Sequence, residues 1–272
     1  MSKNLRWLLF SLLNFVILHG QWSLKVGILG GGAAGYFAAI QCAEVMKQGG
    51  CNDDEVTVFE GTKEVLAKVL ISGGGRCNVQ HDPSKAVIDI SKGYPRGQRE
   101  LLGPLSKAFG PTETKQWFES KGVGLKTEAD GRVFPTTDKS LTIKTALEDA
   151  AKDTGKIKIC CNSKVIGVEK ADEGDKKFII TISSSGGGSD KKKEEKVFFD
   201  KIIAATGSSR QGHEMMANLG HTIVPPVPSL FSFKINDGNL TQLSGLSTEL
   251  SEVKLIIPKE FSKNNKNLLR YV

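Results

Sequence analysis

The stretch KVGILGGGAAGYFAA, Lys25 to Ala39, restricts this chain more than any other part of it, because three spaced glycines stand between an apolar run and a helix-forming one. Lys25 to Leu29 reads as a short buried strand, and Gly30-x-Gly32-x-x-Gly35 follows it directly. From Tyr36 to Lys47, apolar residues at Phe37, Ile40, Ala43 and Val45 mark a helix. Strand, glycine turn and helix in that order form the fingerprint of a dinucleotide site. Gly30 is expected to make the tight turn, Gly32 to let the backbone approach a pyrophosphate, and Gly35 to let helix and strand pack closely. The helix N-terminus then faces the phosphates with unpaired N–H groups and a partial positive charge.

A second apolar run, Glu55 to Phe59, ends in Glu60. An acid at that strand end can accept hydrogen bonds from the hydroxyls of an adenosine ribose. It stands farther from the glycines than the usual separation of about 20 residues, because KQGGCNDD lengthens the connection between helix and strand. Its charge disfavours a 2′-phosphate, which leaves NAD and FAD.

A second glycine-rich segment, AKVLISGGGRCNVQ, runs from Ala67 to Gln80 and offers backbone N–H groups and the Arg76 guanidinium to an anion or a carbonyl-rich ring. Together with GGGAAG (Gly30 to Gly35), KVLISGGGRCNV (Lys68 to Val79), GRVFP (Gly131 to Pro135), IIAATG (Ile202 to Gly207) and LGHTIVPPVPSL (Leu219 to Leu230), it makes the chain resemble a family. These are the bacterial-type FAD-dependent oxidoreductases of the aminoacetone-oxidase-like and bile-acid dehydro-intermediate reductase-like group, within the two-dinucleotide-binding-domain flavoproteins. The resemblance implies that Gly30, Gly32, Ala33, Ala34 and Gly35 wrap the FAD pyrophosphate and that Glu60 holds the ribose. It further implies that Lys68 with Ser72, Gly73, Gly74, Gly75, Arg76, Cys77 and Asn78 lines the flavin side, that Val165 meets the adenine through its backbone, and that Thr206 and Gly207 close the crevice. FAD is the implied cofactor, with NAD(P)H a candidate electron donor.

Other chemistry is weakly signalled. Cys42, Cys51, Cys77, Cys160 and Cys161 make an odd number without a CxxC pair, so reduced thiols are expected and a structural zinc is not. Cys77 lacks a resolving cysteine nearby in sequence and reads as a small buried hydrophobe. Cys160 and Cys161 read as core, His81 is in reach of a flavin from its loop but reads as a solvated histidine, and His213 and His221 have no set of metal-ligating partners. No Ser-His-Asp or paired-carboxylate pattern stands out, and no catalytic acid or base can be named.

The formal charge of +7 argues little for nucleic acid, since Lys3 and Arg6 precede the apolar run Trp7 to Leu18 and Lys191, Lys192, Lys193 and Lys196 fall in a Ser/Gly/Lys/Glu stretch. Residues 1–23 read as a secretory signal, with a buried first helix or an extended gene model as alternatives. The location follows from that choice: a secretory or organellar compartment for a true signal, otherwise the cytoplasm. The apolar run is too short for a stable membrane span, which needs about 20 apolar residues.

The expected architecture is α/β: a Rossmann-like FAD-binding domain over 24–222 with a β-meander, then the start of a second, β-rich substrate domain over 223–272. Ser84 to Ala151 reads as helical and mixed, Ser183 to Lys196 as a disordered loop, and Leu230 to Ile235 and Val253 to Ile257 as strands. Two departures from the family pattern stand out. Ser208 to Gly212 is an abbreviated loop, and family members continue well beyond this length into the rest of the middle domain and a returning C-terminal segment. The expected function is FAD-dependent oxidoreduction of a small organic substrate by a chain that is incomplete as given, with no nucleic-acid partner and no indication of oligomeric state. The rivals are a non-catalytic dinucleotide-binding fragment and a tRNA-modification-type flavoprotein.

Overall fold

The computed structural model describes residues 23–50, 53–94, 96–171, 177–185, 192–227 and 237–243. Leader residues 1–22, the tip of the Ser/Gly/Lys stretch at 186–191 and the two C-terminal runs expected as strands therefore lie outside the described residues. The chain divides into units 1–224 and 225–272. In the second unit the described helix is Gly238–Gln242, begun by Asp237, whose carboxylate accepts from Asn239 N at 2.8 Å.

The first unit starts with strand β1 (Lys25–Leu29), helix α1 (Ala33–Gly49) and strand β2 (Glu55–Phe59). Helix α1 ends at Gly50, whose left-handed conformation (φ 74) stops the helix. After β2 come the short helix α2 (Ala67–Ile71), a tight turn at Ser72–Gly75, and strand β3 (Gln80–His81). Helices α3 (Val87–Lys92), α4 (Gln98–Lys107) and α5 (Pro111–Ser120) follow, then strands β4 (Leu125–Thr127) and β5 (Arg132–Pro135) and helix α6 (Ser140–Thr154). Strands β6 (Ile157–Cys160), β7 (Ser163–Lys170), β8 (Phe178–Ser185), β9 (Lys192–Phe199) and β10 (Lys201–Ala204) lead to helix α7 (Arg210–Asn218).

The parallel sheet has the order β10-β1-β2-β6, so the earliest strand lies inside and pairs with one of the last. Its strands are near-continuous apolar runs because both faces are covered. On one face α1 packs Ala39, Ala43 and Met46 against Val26, Ile28, Val56 and Val58. Helix α6 joins α1 through Ile143 and Leu147, which share a core cluster with Tyr36, Ile40 and Phe118. On the other face lies the antiparallel meander β7-β8-β9, whose Val168, Ile180, Ile182 and Phe199 pack with Leu29, Phe59 and Met215. Gly27 allows this approach, since a Cβ there would stand 2.7 Å from Ile180 Cδ1.

Strand pairing corrects one expectation. Ser183–Ser185 and Lys192–Lys196, expected as part of a disordered loop, belong to β8 and β9, with Ser183 opposite Glu194 and Ser185 opposite Lys192. Low-complexity composition does not prevent a ladder whose bonds come from the backbone once Ile179–Ile182 have set the register.

Candidate functional site

The glycine turn shows a separate constraint at each glycine. Gly30 has φ 110, and a Cβ on it would lie 2.5 Å from the Ala205 carbonyl oxygen, so β10's exit walls the turn. A Cβ on Gly35 would collide with the Gly30 carbonyl oxygen, which is how α1 comes so close to β1. At Gly32 a Cβ would meet nothing within 4 Å. Gly32 is also the N-cap of α1, and no side chain caps that end. The first turn of α1 thus presents N–H groups and the positive end of its dipole to open space.

Glu60 is tied into the same turn. Its Oε2 accepts from Gly31 N at 3.0 Å, and its Oε1 accepts from the N and Oγ1 of Thr62, each at 2.9 Å. A carboxylate has about four acceptor positions, so these three bonds orient the acid and leave room for a hydroxyl. The strand that carries Val165 leaves from this corner, since Ser163 N donates to Glu60 O at 2.8 Å. Val165 pairs with Ile182 and packs among Leu29, Phe59 and Ile180.

The second glycine segment folds as a turn with three successive left-handed residues, Gly73 (φ 56), Gly74 (φ 68) and Gly75 (φ 83). Cys77 follows with φ 62. A Cβ on Gly73 would stand 2.7 Å from Asn78 N, whereas Gly74 and Gly75 face open space. Arg76 is held by the protein itself. Its Nη2 donates to Glu128 and, at 2.6 Å, to Asp138 Oδ1, and its guanidinium lies 4.0 Å over the Phe134 ring. These carboxylates hold the Arg76 pKa above its usual value. Lys126 at 2.5 Å, and then Arg76, hold the Asp138 carboxyl below the usual range. The sequence presented Arg76 as a charge for a ligand, while the structure employs it to brace the turn. Burial raises the Cys77 thiol pKa, the opposite of a reactive thiolate.

A cavity of about 860 Å³ brings most of the expected residues together. Gly32, Ala33, Ala34, Lys68, Ser72, Cys77, Asn78, Thr206 and Gly207 line it. Gly30 and Gly35 shape the turn behind that wall, while Glu60, Val165, Arg76 and Gly73–Gly75 are not part of the lining. The sequence missed the apolar wall of Phe37, Phe109, Phe118, Ile143 and Leu147, and the pair His213 and Met216 from α7. Phe37 was visible as an apolar position of α1, but nothing in the sequence set Phe109 or Ile143 opposite it. His213 Nε2 lies 3.2 Å from the Gly207 carbonyl oxygen. The abbreviated loop Ser208–Gly212 forms the start of α7: Ser209 caps it by accepting from Gly212 N, and Gly212 is small because Thr206 sits against it. The described cysteines, Cys42, Cys77, Cys160 and Cys161, are free thiols. Among the described residues no cluster suits a metal ion, and no helix is long and apolar enough to cross a membrane.

The family described as the HI0933-like protein Rossmann domain matches residues 24–260. The chain belongs to it. This HI0933-like family is one of FAD-binding Rossmann proteins. Among curated relatives, the 3-dehydro-bile acid delta(4,6)-reductase of Clostridium scindens is 26% identical over 232 residues, covering 85% of this chain and 53% of the relative. The ribosomal RNA dihydrouridine synthase of Haemophilus influenzae is 25% identical over 231 residues, covering 84% of this chain and 53% of the relative. The HI0933-like chain thus spans about half the length of the curated relatives it matches. Among solved structures, glycine oxidase from Bacillus cereus aligns with TM-score 0.37 and 15% identity over 72% of this chain and 58% of that one.

Proposed function

We propose that this chain binds FAD and forms the cofactor half of an FAD-dependent oxidoreductase acting on a small organic substrate. The observation that carries the reading is the uncapped start of α1 at Gly32, open to the same cavity as Lys68, Ser72 and Asn78. Bound FAD would supply hydride transfer, with NAD(P)H proposed as the donor. Gly32, Ala33 and Ala34 would hold the pyrophosphate on backbone N–H groups, and Glu60 would hold the ribose from its anchored position. Val165 would meet the adenine along the outer edge of β7. Lys68, Ser72, Cys77 and Asn78 would line the ring with Gly73–Arg76 shaping the turn behind them, Thr206 and Gly207 would close the crevice, and the wall from Phe37 to Leu147 would exclude water.

The experiment is the visible absorbance of the purified chain beside its Gly32→Val variant. The wild type is expected to retain flavin. The variant should keep its fold and lose flavin affinity by about tenfold or more, because each backbone bond to a charged phosphate contributes roughly 1.5–3 kcal/mol. Equal flavin content in both would refute the assignment of the glycine turn.

A second reading, a flavoprotein whose substrate is part of an RNA, draws on the relative named ribosomal RNA dihydrouridine synthase. It runs against the expectation of no nucleic-acid partner. Residues 1–23 we read as a targeting leader, and a reporter fused to them that stays cytosolic and unprocessed would refute that.

A further inference from the structure

We propose that Leu66 is a positioning residue that couples the two halves of the dinucleotide site, so that a ligand filling only the adenosine half orders the turn facing the flavin. This coupling rests on the FAD reading above and deepens it. Leu66 is a backbone outlier, with φ 59 and ψ 18 in the left-handed region. A leucine is disfavoured there because its Cβ approaches the following carbonyl oxygen. Such a conformation persists only where the surrounding structure over-determines it.

The surroundings of Leu66 do so from three sides. Its side chain is 1% exposed and packs in a core cluster with Tyr36, Ile40 and Val69. Its N–H donates to the Gly31 carbonyl oxygen at 2.8 Å. Its own carbonyl oxygen accepts from Val69 N at 2.9 Å and Leu70 N at 3.2 Å, which begins helix α2. One residue thus bonds to the glycine turn through its N–H and starts the flavin-side helix through its carbonyl.

Gly31 receives this bond while it is held from the other side, its N–H donating to Glu60 Oε2 at 3.0 Å. A Cβ on Gly31 would lie 2.8 Å from Val65 Cγ1 and 3.1 Å from Glu60 Cβ, so both neighbours press on it. Neither Gly31 nor Leu66 is part of the cavity lining, and both work from behind it. The path from the acid to the turn is continuous. It runs from the Glu60 carboxylate through the Gly31 peptide groups and Leu66 into α2, whose end is tied to Ser72 by bonds from Ser72 N to Lys68 O and from Ser72 Oγ to Val69 O. Ser72 O then accepts from Cys77 N at 3.0 Å and closes the loop that carries the three left-handed glycines. A ribose that fixes Glu60 also fixes Gly31. Leu66 passes this on, because a change of its φ would either break the bond to Gly31 or re-aim α2.

The test follows amide hydrogen exchange over residues 67–78 in the whole 272-residue chain, freed of flavin, with and without ADP, and titrates ADP and FAD separately into each variant. In the wild type, ADP should slow exchange in that segment about fivefold or more, a typical coupling between two sites. Leu66→Ala and Leu66→Gly both lose the branched end of the core side chain, but glycine fits the left-handed region and alanine does not. Leu66→Gly should therefore keep the ADP-dependent protection. Leu66→Ala should lose it and, by reciprocity, bind ADP about fivefold more weakly. Should either fail to fold, Leu66→Met and Leu66→Val take their place; both fill the core, and β-branched valine, the poorest fit to the left-handed region, should lose the protection that methionine keeps. A direct contact between ADP and the turn would leave protection equal within each pair, and a purely structural role would separate the pair in melting temperature alone; either result would overturn the proposal. ADP that binds the wild type without slowing exchange at 67–78 refutes the coupling and leaves the FAD reading intact, whereas a chain that takes up neither ADP nor FAD removes both.

Discussion

Arg76 shows how a conspicuous charge can be taken up by the protein's own groups. Its charge is taken up by Glu128 and Asp138 and its flat face by Phe134, so it fixes three consecutive left-handed glycines from behind. Arg76→Ala should therefore weaken flavin binding while leaving the far-ultraviolet circular dichroism unchanged. Flavin titration that matches the wild type would show that the turn holds its shape unaided. The same cluster predicts an acid response. Asp138 has a lowered pKa in the fold, so its contribution is complete above the unfolded carboxylate value of about 3.9 and is lost as pH falls below it through the folded value. Asp138→Asn should be less stable than the wild type at neutral pH, and the gap should narrow below about pH 4; denaturant midpoints across that range check this. The sequence made Arg76 conspicuous but hid its role, because Glu128 and Asp138 stand 52 and 62 residues away. A motif gives the chemical type of a side chain, whereas its partners depend on chain reversal through β4 and β5.

Among the elements, the pairing of β1 with α1 is the tightest constraint. Gly35→Ala should destabilise the first unit by about 3 kcal/mol, since the methyl must displace the Gly30 carbonyl and also crowds the Ala205 side chain. A urea midpoint close to that of the wild type would contradict it. Both first strands were legible, and Lys25–Leu29 and Glu55–Phe59 occur with the residues the sequence indicated. Helix α1 starts earlier than the apolar spacing suggested, at Ala33, because the periodic signal begins only where side chains reach the core. Helix α6 ends at Gly155, whose φ of 65 makes a left-handed cap. The sheet order was not legible. Short apolar runs such as KIKIC and KIIA carry no mark that assigns one to the edge beside β2 and the other to the edge beside β1. Nor did composition reveal that β8 and β9 continue into the serine- and lysine-rich stretch, where backbone pairing decides the outcome.

At the level of the whole molecule, the cavity joins parts drawn from widely separated segments, so its ligand should stabilise the first unit as one body. FAD at about a hundred times its dissociation constant adds about 2.7 kcal/mol, and at about 2–4 °C per kcal/mol the melting temperature should rise by about 5–10 °C. A thermal scan with and without added FAD measures it, and a melting point indifferent to FAD would refute the proposed site. Its architecture also sets a timetable for the newborn protein. Lys25 N donates to Asp200 Oδ2 at 2.7 Å across 175 residues of chain, and the wall behind Gly30 is Ala205. At about 5–20 residues per second, a ribosome needs roughly 10–35 s to travel from one side of the cradle to the other. For that interval β1 lacks one neighbour, the glycine turn lacks its wall, and the emerging chain has apolar strand edges to shield.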